Sequence, residues 1–387
     1  MVFPHGFLWG ASTSAHQVEG NNVASDWWAR EHGHLEGAAA VTAPSGDAAD
    51  SFHRYREDMK LLADAGLTAY RFSIEWARIE PERGAFSRAS LDHYKRMIGT
   101  CRDLGLIPLL TLHHFTNPAW FTREIGWKDP RSVDFFGHYV QFVLPILREV
   151  DLVGTINEPN MVATVLHDPG LDFAQGIPDA DPEVTEHLLS AHQLGVGLLR
   201  SVGKKAGWSV ATLGIQAEPG FEDQAAEYAR THEDAFLDAS SGDDWVGVQA
   251  YTRTRIGAEG MLRPPDDAEL TQTGWEFYPE ALELGVRRAW ERSGGRPVYV
   301  TENGIATADD SRRIAYTSSA LEGLEHAIDD GIDVRSYIHW SALDNYEWGT
   351  FEPTFGLIRW RTDTFERQAK RSLGWLGDVA RRNGLPA

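Results

Sequence analysis

The chain has 387 residues, 42% of them hydrophobic, which is enough apolar material for one large domain or two medium ones. Its 57 acidic and 36 basic residues give a formal net charge of −21, which argues against binding to nucleic acid or to anionic membrane surfaces. We find no secretory signal and no run approaching the ~20 apolar residues of a membrane-spanning helix, and the single cysteine excludes an intrachain disulfide, so we predict a cytoplasmic protein.

Eight apolar runs, separated by segments with helical periodicity, are typical of buried parallel strands. They are Phe7–Ser12, Ala69–Ile74, Ile107–His113, Leu152–Asn157, Ser209–Ile215, Trp245–Tyr251, Val298–Thr301 and Val334–Trp340. Eight such units closing on themselves predict an α/β fold, a single-domain (β/α)8 TIM barrel over residues 1–387. An open doubly wound sheet is the alternative, but it needs a glycine-rich phosphate turn after the first strand, and Ala11–Ala15 is not one.

Two of the intervening helices show a clear apolar stripe. The stripes consist of Phe52, Tyr55, Met59 and Leu62 in one helix, and of Leu91, Tyr94, Ile98 and Cys101 in the other. A glycine follows these helices at positions 66 and 105, and another precedes the last strand at 331, where a helix C-terminus favours positive φ. The longest irregular stretches, 31–50, 160–181 and 257–275, all follow strand ends, so we expect them to be active-site loops.

Two strand-end runs, Thr155–Asn160 and Val300–Gly304, each place a glutamate at the end of an apolar strand. A glutamate that closes a buried strand is costly unless it does chemistry, although either one alone could simply face solvent. At one edge of a parallel sheet, the pair predicts cleavage of a glycosidic bond by an acid and a nucleophile. We expect Pro159 to hold Glu158 extended and Gly304 to let the chain leave the sheet sharply.

The other strand ends are rich in hydrogen-bonding and aromatic side chains, which suits a polyhydroxylated ligand with apolar ring faces. A metal site is not indicated, because His113 and His114 are adjacent on a strand and point to opposite faces. His-Glu-x-x-His, cysteine-rich and P-loop spacings are also missing from the sequence. We therefore predict a small-molecule carbohydrate partner and neither a metal nor a cofactor.

Five ordered motifs resemble those of glycoside hydrolase family 1, the β-glucosidase group. They are Phe7–Gly20, Tyr70–Trp76, Asn157–Pro159, Thr301–Gly304 and Trp340–Trp348. The resemblance runs almost from end to end and implies a retaining β-glycosidase on a (β/α)8 barrel.

The resemblance implies that Glu158 is the general acid/base and Glu302 the nucleophile. Arg71 and Tyr251 would donate hydrogen bonds to Glu302 and lower its pKa, whereas burial and the second carboxylate would raise the pKa of Glu158. Asn157 resembles the residue that bonds the sugar 2-hydroxyl. A structural ion pair for Arg71 and a core position for Tyr251 are the alternatives.

The resemblance also implies a set of sugar-binding residues. Gln17, His114 and Glu347 resemble the remaining ligands of the sugar hydroxyls, with Trp348 hydrogen-bonding nearby and Trp340 as the platform under the ring. Relatives that act on 6-phosphorylated sugars typically lack the acidic residue at position 347, because its charge would repel phosphate. A neutral glycone such as glucose, galactose or fucose is therefore expected.

Several positions depart from the family pattern. Gln249-Ala250-Tyr251 stands where Asn-Tyr-Tyr is usual, Asn160 replaces a bulky residue near the leaving-group site, and Phe115 follows His114 where tryptophan is common. The connection from Gln216 to Asp244 has room for little more than one helix, and residues 160–181 look shortened. We expect a wide entrance on the aglycone side.

The resulting prediction is a cofactor-free, retaining exo-β-glycosidase. A transglycosidase using the same site, a catalytically silent sugar-binding barrel and a metal-dependent barrel hydrolase are the alternatives. The sequence assigns neither the glycone, the aglycone nor an oligomeric state.

Overall fold

A computed structural model describes residues 2–35, 41–166 and 177–385. Eight parallel strands form a closed barrel in the order β1-β11-β10-β7-β5-β4-β3-β2. These strands are β1 (Leu8–Ser12), β2 (Ala69–Ser73), β3 (Ile107–His113), β4 (Leu152–Asn157), β5 (Lys205–Ala211), β7 (Val246–Ala250), β10 (Val298–Asn303) and β11 (Val334–Trp340). The predicted (β/α)8 barrel is confirmed, while the extent of the domain over all 387 residues stays a prediction.

Five short strands lie outside the barrel. They are β6 (Ile215–Ala217), β8 (Thr254–Gly257) and β9 (Gly260–Met261), which form one small sheet, and β12 (Ile358–Trp360) and β13 (Arg367–Ala369), which form a hairpin.

Helices lie in the connections between the barrel strands and after the last of them. They are α1 (Ala15–Glu19), α2 (Asp26–Glu31), α3 (Ser51–Ala65), α4 (Trp76–Ile79), α5 (Arg88–Asp103), α6 (Ala119–Glu124), α7 (Ser132–Val143), α8 (Pro159–Met161), α9 (Pro182–Ser201), α10 (Glu222–Ala229), α11 (Ala235–Ala239), α12 (Ala281–Arg292), α13 (Asp310–Asp329) and α14 (Arg371–Arg382). Short 3-10 helices occupy Leu144–Glu149 and Ser240–Gly242, and π-helical turns occupy Val162–Leu166 and Arg230–Asp234. Within the described ranges, no helix has the length and apolarity needed to cross a membrane.

Most predicted strands match within one or two residues, but the fifth does not. The strand runs over Lys205–Ala211 rather than Ser209–Ile215, because Lys205 and Gly207 interrupt the apolar pattern from which its start was predicted. Gly207 belongs in the strand for a packing reason, since a Cβ there would lie 2.2 Å from the main-chain oxygen of Trp245. Ile215 instead begins β6, after Gly214 turns the chain with φ 56°.

The core has one large cluster and two small ones, of which one, formed by Ala306, Trp340 and Phe355, packs against Tyr251. The large cluster lies between the strands and the outer helices, and it includes Tyr55, Met59 and Leu62 of α3 and the fully buried Cys101 of α5. The other small cluster fills the barrel interior towards the amino ends of the strands; its members are Leu109, Leu152, Trp245 and Tyr299. This cluster packs the interior at the amino ends of the strands, and we call the opposite end of the interior, at the carboxyl ends of the strands, the pit.

The three stretches predicted as irregular loops differ in the structure. Residues 257–275 are not wholly irregular, because β9 pairs there with β8 and Leu270 forms an isolated bridge with Glu276. Parts of the other two, 36–40 and 167–176, lie outside the described residues. The connection from Gln216 to Asp244 holds one helical run, interrupted by a π-helical turn, in agreement with its predicted shortness.

Gly304 contributes in a different way from the one expected. Its φ is not positive; instead, a Cβ at this position would lie 2.2 Å from the carbonyl oxygen of Trp340 on the neighbouring strand. Glycine is required because two backbones approach closely, so that β10 and β11 can converge beneath the site.

We therefore expect Gly304→Ala to lower the free energy of unfolding by about 1–3 kcal/mol, since the new methyl group must displace a backbone. Thermal unfolding would measure this change. Gly99→Ala is the matched control, because Gly99 lies within α5 and a Cβ there meets nothing within 4 Å. Equal midpoints for the two variants would contradict this account of Gly304.

Candidate active site

The site is organised around one buried guanidinium. Arg71 lies in the middle of β2 and is only 1% exposed. Its Nη1 donates to Oε1 of Glu302 on β10 at 2.5 Å, and its Nη2 donates to Oδ1 of Asn157 on β4 at 2.5 Å. The planar fork of arginine suits this arrangement, because it fixes two acceptors at a set separation. Arg71 therefore connects three strands at the floor of the pit.

Both carboxylate oxygens of Glu302 are hydrogen-bonded. Arg71 binds Oε1, and the Tyr251 hydroxyl donates to Oε2 at 2.5 Å. Burial raises the pKa of Glu302 above its ordinary value, and these two donors offset only part of the rise. Both partners therefore lower the pKa of Glu302 as predicted, but burial has the larger effect.

Glu158 has a different environment. It follows β4, is partly accessible from the pit, and has a pKa raised well above its ordinary value by burial and by the charge of Glu302. Its backbone is left-handed, with φ 43° and ψ 60°, so the prediction that Pro159 holds it extended is wrong. A non-glycine residue in this region costs about 1–3 kcal/mol, which the surrounding contacts must offset.

Irregularities in two strands aim side chains into the pit. Thr155 of β4 contacts His192 of α9 outside the barrel, yet Asn157, two residues on, faces Arg71 inside. Strict alternation would put both on one face, and the β4–β5 register shifts between Gly154 and Asn157. Such local shifts re-aim side chains next to active sites.

The same device operates on β10. Thr301 bonds to Ser209 in the barrel interior, and its neighbour Glu302 also faces inwards, to Arg71. The β10–β7 register shifts between Val300 and Glu302, which accounts for two consecutive inward side chains.

The orientation of the Asn157 amide is set by its neighbours. Its Oδ1 accepts from Arg71 and, at 2.8 Å, from Nε2 of Gln249. Two donors on the oxygen leave Nδ2 free to donate, and it lies 3.3 Å from Nε2 of His114. Burial lowers the pKa of His114 well below its ordinary value, with further contributions from the charges of Arg71 and His113. His114 is therefore a neutral imidazole that can accept or donate.

Aromatic rings form one wall around His114. Its ring stacks near Trp340, with centroids 5.8 Å apart, and lies 6.5 Å from Trp348. The indole nitrogen of Trp340 donates to Oε1 of Glu347 at 3.4 Å. Burial raises the pKa of Glu347 to about 8. A half-buried carboxyl group beside two indoles suits the hydroxyls and the apolar face of a sugar.

Gln17 is more committed to the protein than expected for a sugar ligand. Its Nε2 donates to Oδ1 of Asn345 at 3.0 Å and to the main-chain oxygen of Tyr346 at 2.9 Å, while its Oε1 accepts from Ser14 at 2.6 Å. A contact with Glu347 also lowers the pKa of that carboxyl. Gln17 thus lies beside Glu347 in the wall around His114. Its Oε1 has one lone pair left to accept a hydrogen bond from a ligand.

Three other polar residues near strand ends serve the core. Glu19 pairs with Arg78 at 2.7 Å, Glu75 accepts from Thr116 at 2.7 Å, and His113 contacts Asn117 at 3.0 Å. Among the described residues, no group of three or more His, Cys, Asp or Glu side chains is placed to hold a metal ion.

Sequence reasoning missed some residues near the site. The strand-end pattern includes Gln249, but nothing in the sequence indicates its hydrogen bond to Asn157. Trp275 and Phe355 lie near Tyr251, with ring centroids 5.7 and 6.0 Å away, and Trp275 is 42% exposed. They come from connecting segments, where no periodicity indicates their position.

Comparisons with known proteins agree with this geometry. The family model "Glycosyl hydrolase family 1" matches residues 1–246 and 251–385. Beta-glucosidase A of Acetivibrio thermocellus is 30% identical over 456 residues, covering 100% of this chain and 99% of the relative. The chain therefore belongs to glycosyl hydrolase family 1, and it is a glycoside hydrolase.

Solved structures support the same assignment. The crystal structure of the β-glycosidase BGL167 is 42% identical, with a TM-score of 0.90, and the match covers 100% of this chain and 98% of that one. The β-glucosidase from Thermotoga maritima in complex with deoxynojirimycin is 26% identical, with a TM-score of 0.89 and full coverage of both chains. The four residues that the family model leaves unmatched, 247–250, include Gln249 and Ala250.

The Tyr251 contact generates a prediction about pH. Tyr251→Phe removes a hydrogen bond that lowers the pKa of Glu302, so that pKa should rise. The predicted role of Glu302 as nucleophile requires an ionised carboxylate, so the acidic limb of the kcat/KM profile should move to higher pH, by about one unit.

Tyr299→Phe is the matched control, since Tyr299 lies in the cluster at the opposite end of the barrel. Its acidic limb should coincide with that of the unmodified enzyme. An unmoved limb in Tyr251→Phe, or one shifted to lower pH, would contradict the assigned role of the hydroxyl.

Proposed function

We propose that this protein is a retaining exo-β-glycosidase that hydrolyses a non-phosphorylated β-glycoside. The observation that carries the proposal is the contrast between the surroundings of two glutamates, the buried Glu302 and the half-buried Glu158. Glu302 has both oxygens bonded to Arg71 and Tyr251, whereas burial and the charge of Glu302 raise the pKa of Glu158 further. Unequal proton affinities of this kind separate an acid from a nucleophile.

The reaction proceeds in two displacements. Glu158 gives its proton to the glycosidic oxygen as the bond to the anomeric carbon breaks, and Glu302 attacks that carbon to form a covalent glycosyl-enzyme. The aglycone leaves as an alcohol. Glu158, now ionised, takes a proton from water; the water oxygen attacks the anomeric carbon as the bond to Glu302 breaks, which restores the β configuration and releases the Glu302 carboxylate. The mechanism requires carboxyl groups ~5–5.5 Å apart.

Asn157 and the aromatic wall supply sugar recognition in this proposal. The oriented Nδ2 of Asn157 donates to the 2-hydroxyl, a bond that strengthens towards the oxocarbenium-like transition state. His114, Glu347 and Gln17 bind the other hydroxyls, while Trp340 and Trp348 face the ring. The relative from Thermotoga maritima, which was solved in complex with deoxynojirimycin, supports a sugar-like ligand for this chain.

The surroundings of Glu347 support a neutral glycone for a reason other than charge repulsion. With a pKa of about 8, this carboxyl group is largely protonated at neutral pH. The groups that contact it are the neutral donors Trp340, Asn345 and Gln17. Neutral donors and a carboxyl group match hydroxyls, whereas a phosphate dianion binds best to cations. Since two carboxyl groups supply the acid and the nucleophile, the mechanism calls for neither a metal nor a cofactor.

The proposal predicts that at least one nitrophenyl β-glycoside in a panel of glucoside, galactoside, fucoside and mannoside is cleaved. The 6-phosphorylated counterpart should be a poor substrate.

Glu302→Gln should lower kcat by at least ~10³-fold on the preferred substrate, because the nucleophile is lost. Release of nitrophenol measures each rate.

Glu322→Gln is the matched control, because Glu322 is exposed on α13. Its turnover should equal that of the unmodified enzyme, and a chelator should leave turnover unchanged. Turnover retained in Glu302→Gln would reject the nucleophile assignment. Glycosylated alcohols in place of free sugar, when alcohol is added, would favour the transglycosidase alternative.

A further inference from the structure

The left-handed backbone of Glu158 must be held by its surroundings. Glu158 has φ 43° and ψ 60°, a conformation that residues with a Cβ rarely adopt, and a proline follows it. On its N-terminal side, its own N–H donates to the carbonyl oxygen of Ser209 on β5 at 2.7 Å. Its carbonyl oxygen accepts from the N–H of Val162 at 3.1 Å, but that bond lies within the helical turn that follows and does not attach it to the barrel, so a second attachment to the barrel is needed beyond Glu158.

Asn160 provides that second attachment. Its Nδ2 donates to the carbonyl oxygen of Ala211 at 2.9 Å, and its Oδ1 accepts from the N–H of the same residue at 3.1 Å. The Asn160 side chain is 1% exposed, and Ala211 is the last residue of β5. The amide thus satisfies both main-chain groups of Ala211 as a neighbouring strand would, which continues the β4–β5 pairing past the end of β4.

The two attachments act as a clasp on either side of the acid. Ser209 and Ala211 are alternate residues of one strand, and Glu158 and Asn160 are alternate residues of the segment held against it. The carbonyl oxygen of Asn160 is also engaged, by the Thr164 hydroxyl at 2.9 Å. Because both ends of its amide are bound to main chain, Asn160 is poorly placed to contact an aglycone, and its effect must pass through the backbone.

We propose that Asn160 is a positioning residue for Glu158, which sets the direction of the acid towards the glycosidic oxygen. The inference rests on the proposed function, in which Glu158 protonates the leaving oxygen. Without the clasp, the strained backbone at Glu158 can relax, and the carboxyl group moves away from the oxygen that it must protonate. The Asn160 amide bonds to Ala211, whereas Glu302 bonds to Arg71 and Tyr251. Loss of the clasp should therefore leave nucleophilic attack by Glu302 unchanged.

This separation of roles makes the effect of Asn160 depend on the leaving group. A weakly acidic phenol needs its oxygen protonated as the bond breaks, whereas a strongly acidic phenol leaves unaided. Misplacing the acid therefore slows the first class of substrate selectively. A general loss of packing, by contrast, slows both classes alike.

The test compares kcat/KM for a phenyl and a 2,4-dinitrophenyl β-glycoside of the glycone that the enzyme prefers. For Asn160→Ala we expect a loss of about tenfold or more on the phenyl substrate and a change of at most about twofold on the dinitrophenyl substrate. Asn160→Asp keeps the acceptor for the Ala211 N–H and should show a smaller selective loss. It also replaces Asn160→Ala if that variant does not fold.

Asn383→Ala is the matched control, because its Nδ2 likewise donates to a main-chain oxygen, that of Phe3, at the far end of the barrel. It should change both rates by the same factor, whatever its thermal midpoint. Glu158→Gln removes the acid itself and so gives the largest selective effect that Asn160 variants can approach. Its kcat/KM should fall far more on the phenyl substrate than on the dinitrophenyl substrate.

Each outcome separates the two hypotheses. Equal losses on both substrates in Asn160→Ala and Asn160→Asp, or no loss in either, would overturn the positioning role while leaving the proposed function intact. If Glu158→Gln itself showed no preference between the leaving groups, the assignment of the acid, and with it the proposed function, would be wrong.

Discussion

The fork of hydrogen bonds from Arg71 to Glu302 and Asn157 is the interaction on which the site depends. A buried guanidinium needs acceptors, and these two lie on strands that are distant in sequence but face each other in the barrel. The charge of Arg71 favours the ionised form of Glu302, and its bond to Oδ1 turns the Nδ2 of Asn157 towards His114. One side chain thereby couples charge, orientation and strand position.

The proposed chemistry follows from the different surroundings of Glu302 and Glu158. Glu302 is bonded through both oxygens, while Glu158, on the loop just beyond β4, receives the charge of Glu302 as well as the cost of burial. Arg71 and Tyr251 thus favour the ionised form of Glu302, whereas the pKa of Glu158 is raised further above its ordinary value. Because the two groups interact, their titration belongs to the pair, and each limb of a pH profile reports both.

Much of the architecture could be predicted from sequence because it depends on local pattern. Apolar runs gave the strands, and ordered motifs identified Glu158, Glu302 and their neighbours. The register shifts before Asn157 and Glu302, the left-handed Glu158 and the close approach at Gly304 arise from contacts between distant strands. Local propensity does not encode such contacts. The start of β5 was predicted at Ser209 instead of Lys205 for the same reason, because Gly207 is required by its close approach to Trp245.

The most direct test of the central claim, that Glu302 becomes covalently bonded to the sugar, is mass spectrometry of the trapped intermediate. In a 2-deoxy-2-fluoro glycoside, the fluorine slows both displacements, while the dinitrophenyl leaving group speeds the first. The covalent intermediate therefore forms faster than it is hydrolysed, and it accumulates. The account predicts one added fluorosugar per chain, located on the peptide that contains Glu302. A label on another residue, or turnover that inverts the anomeric configuration without any adduct, would contradict it.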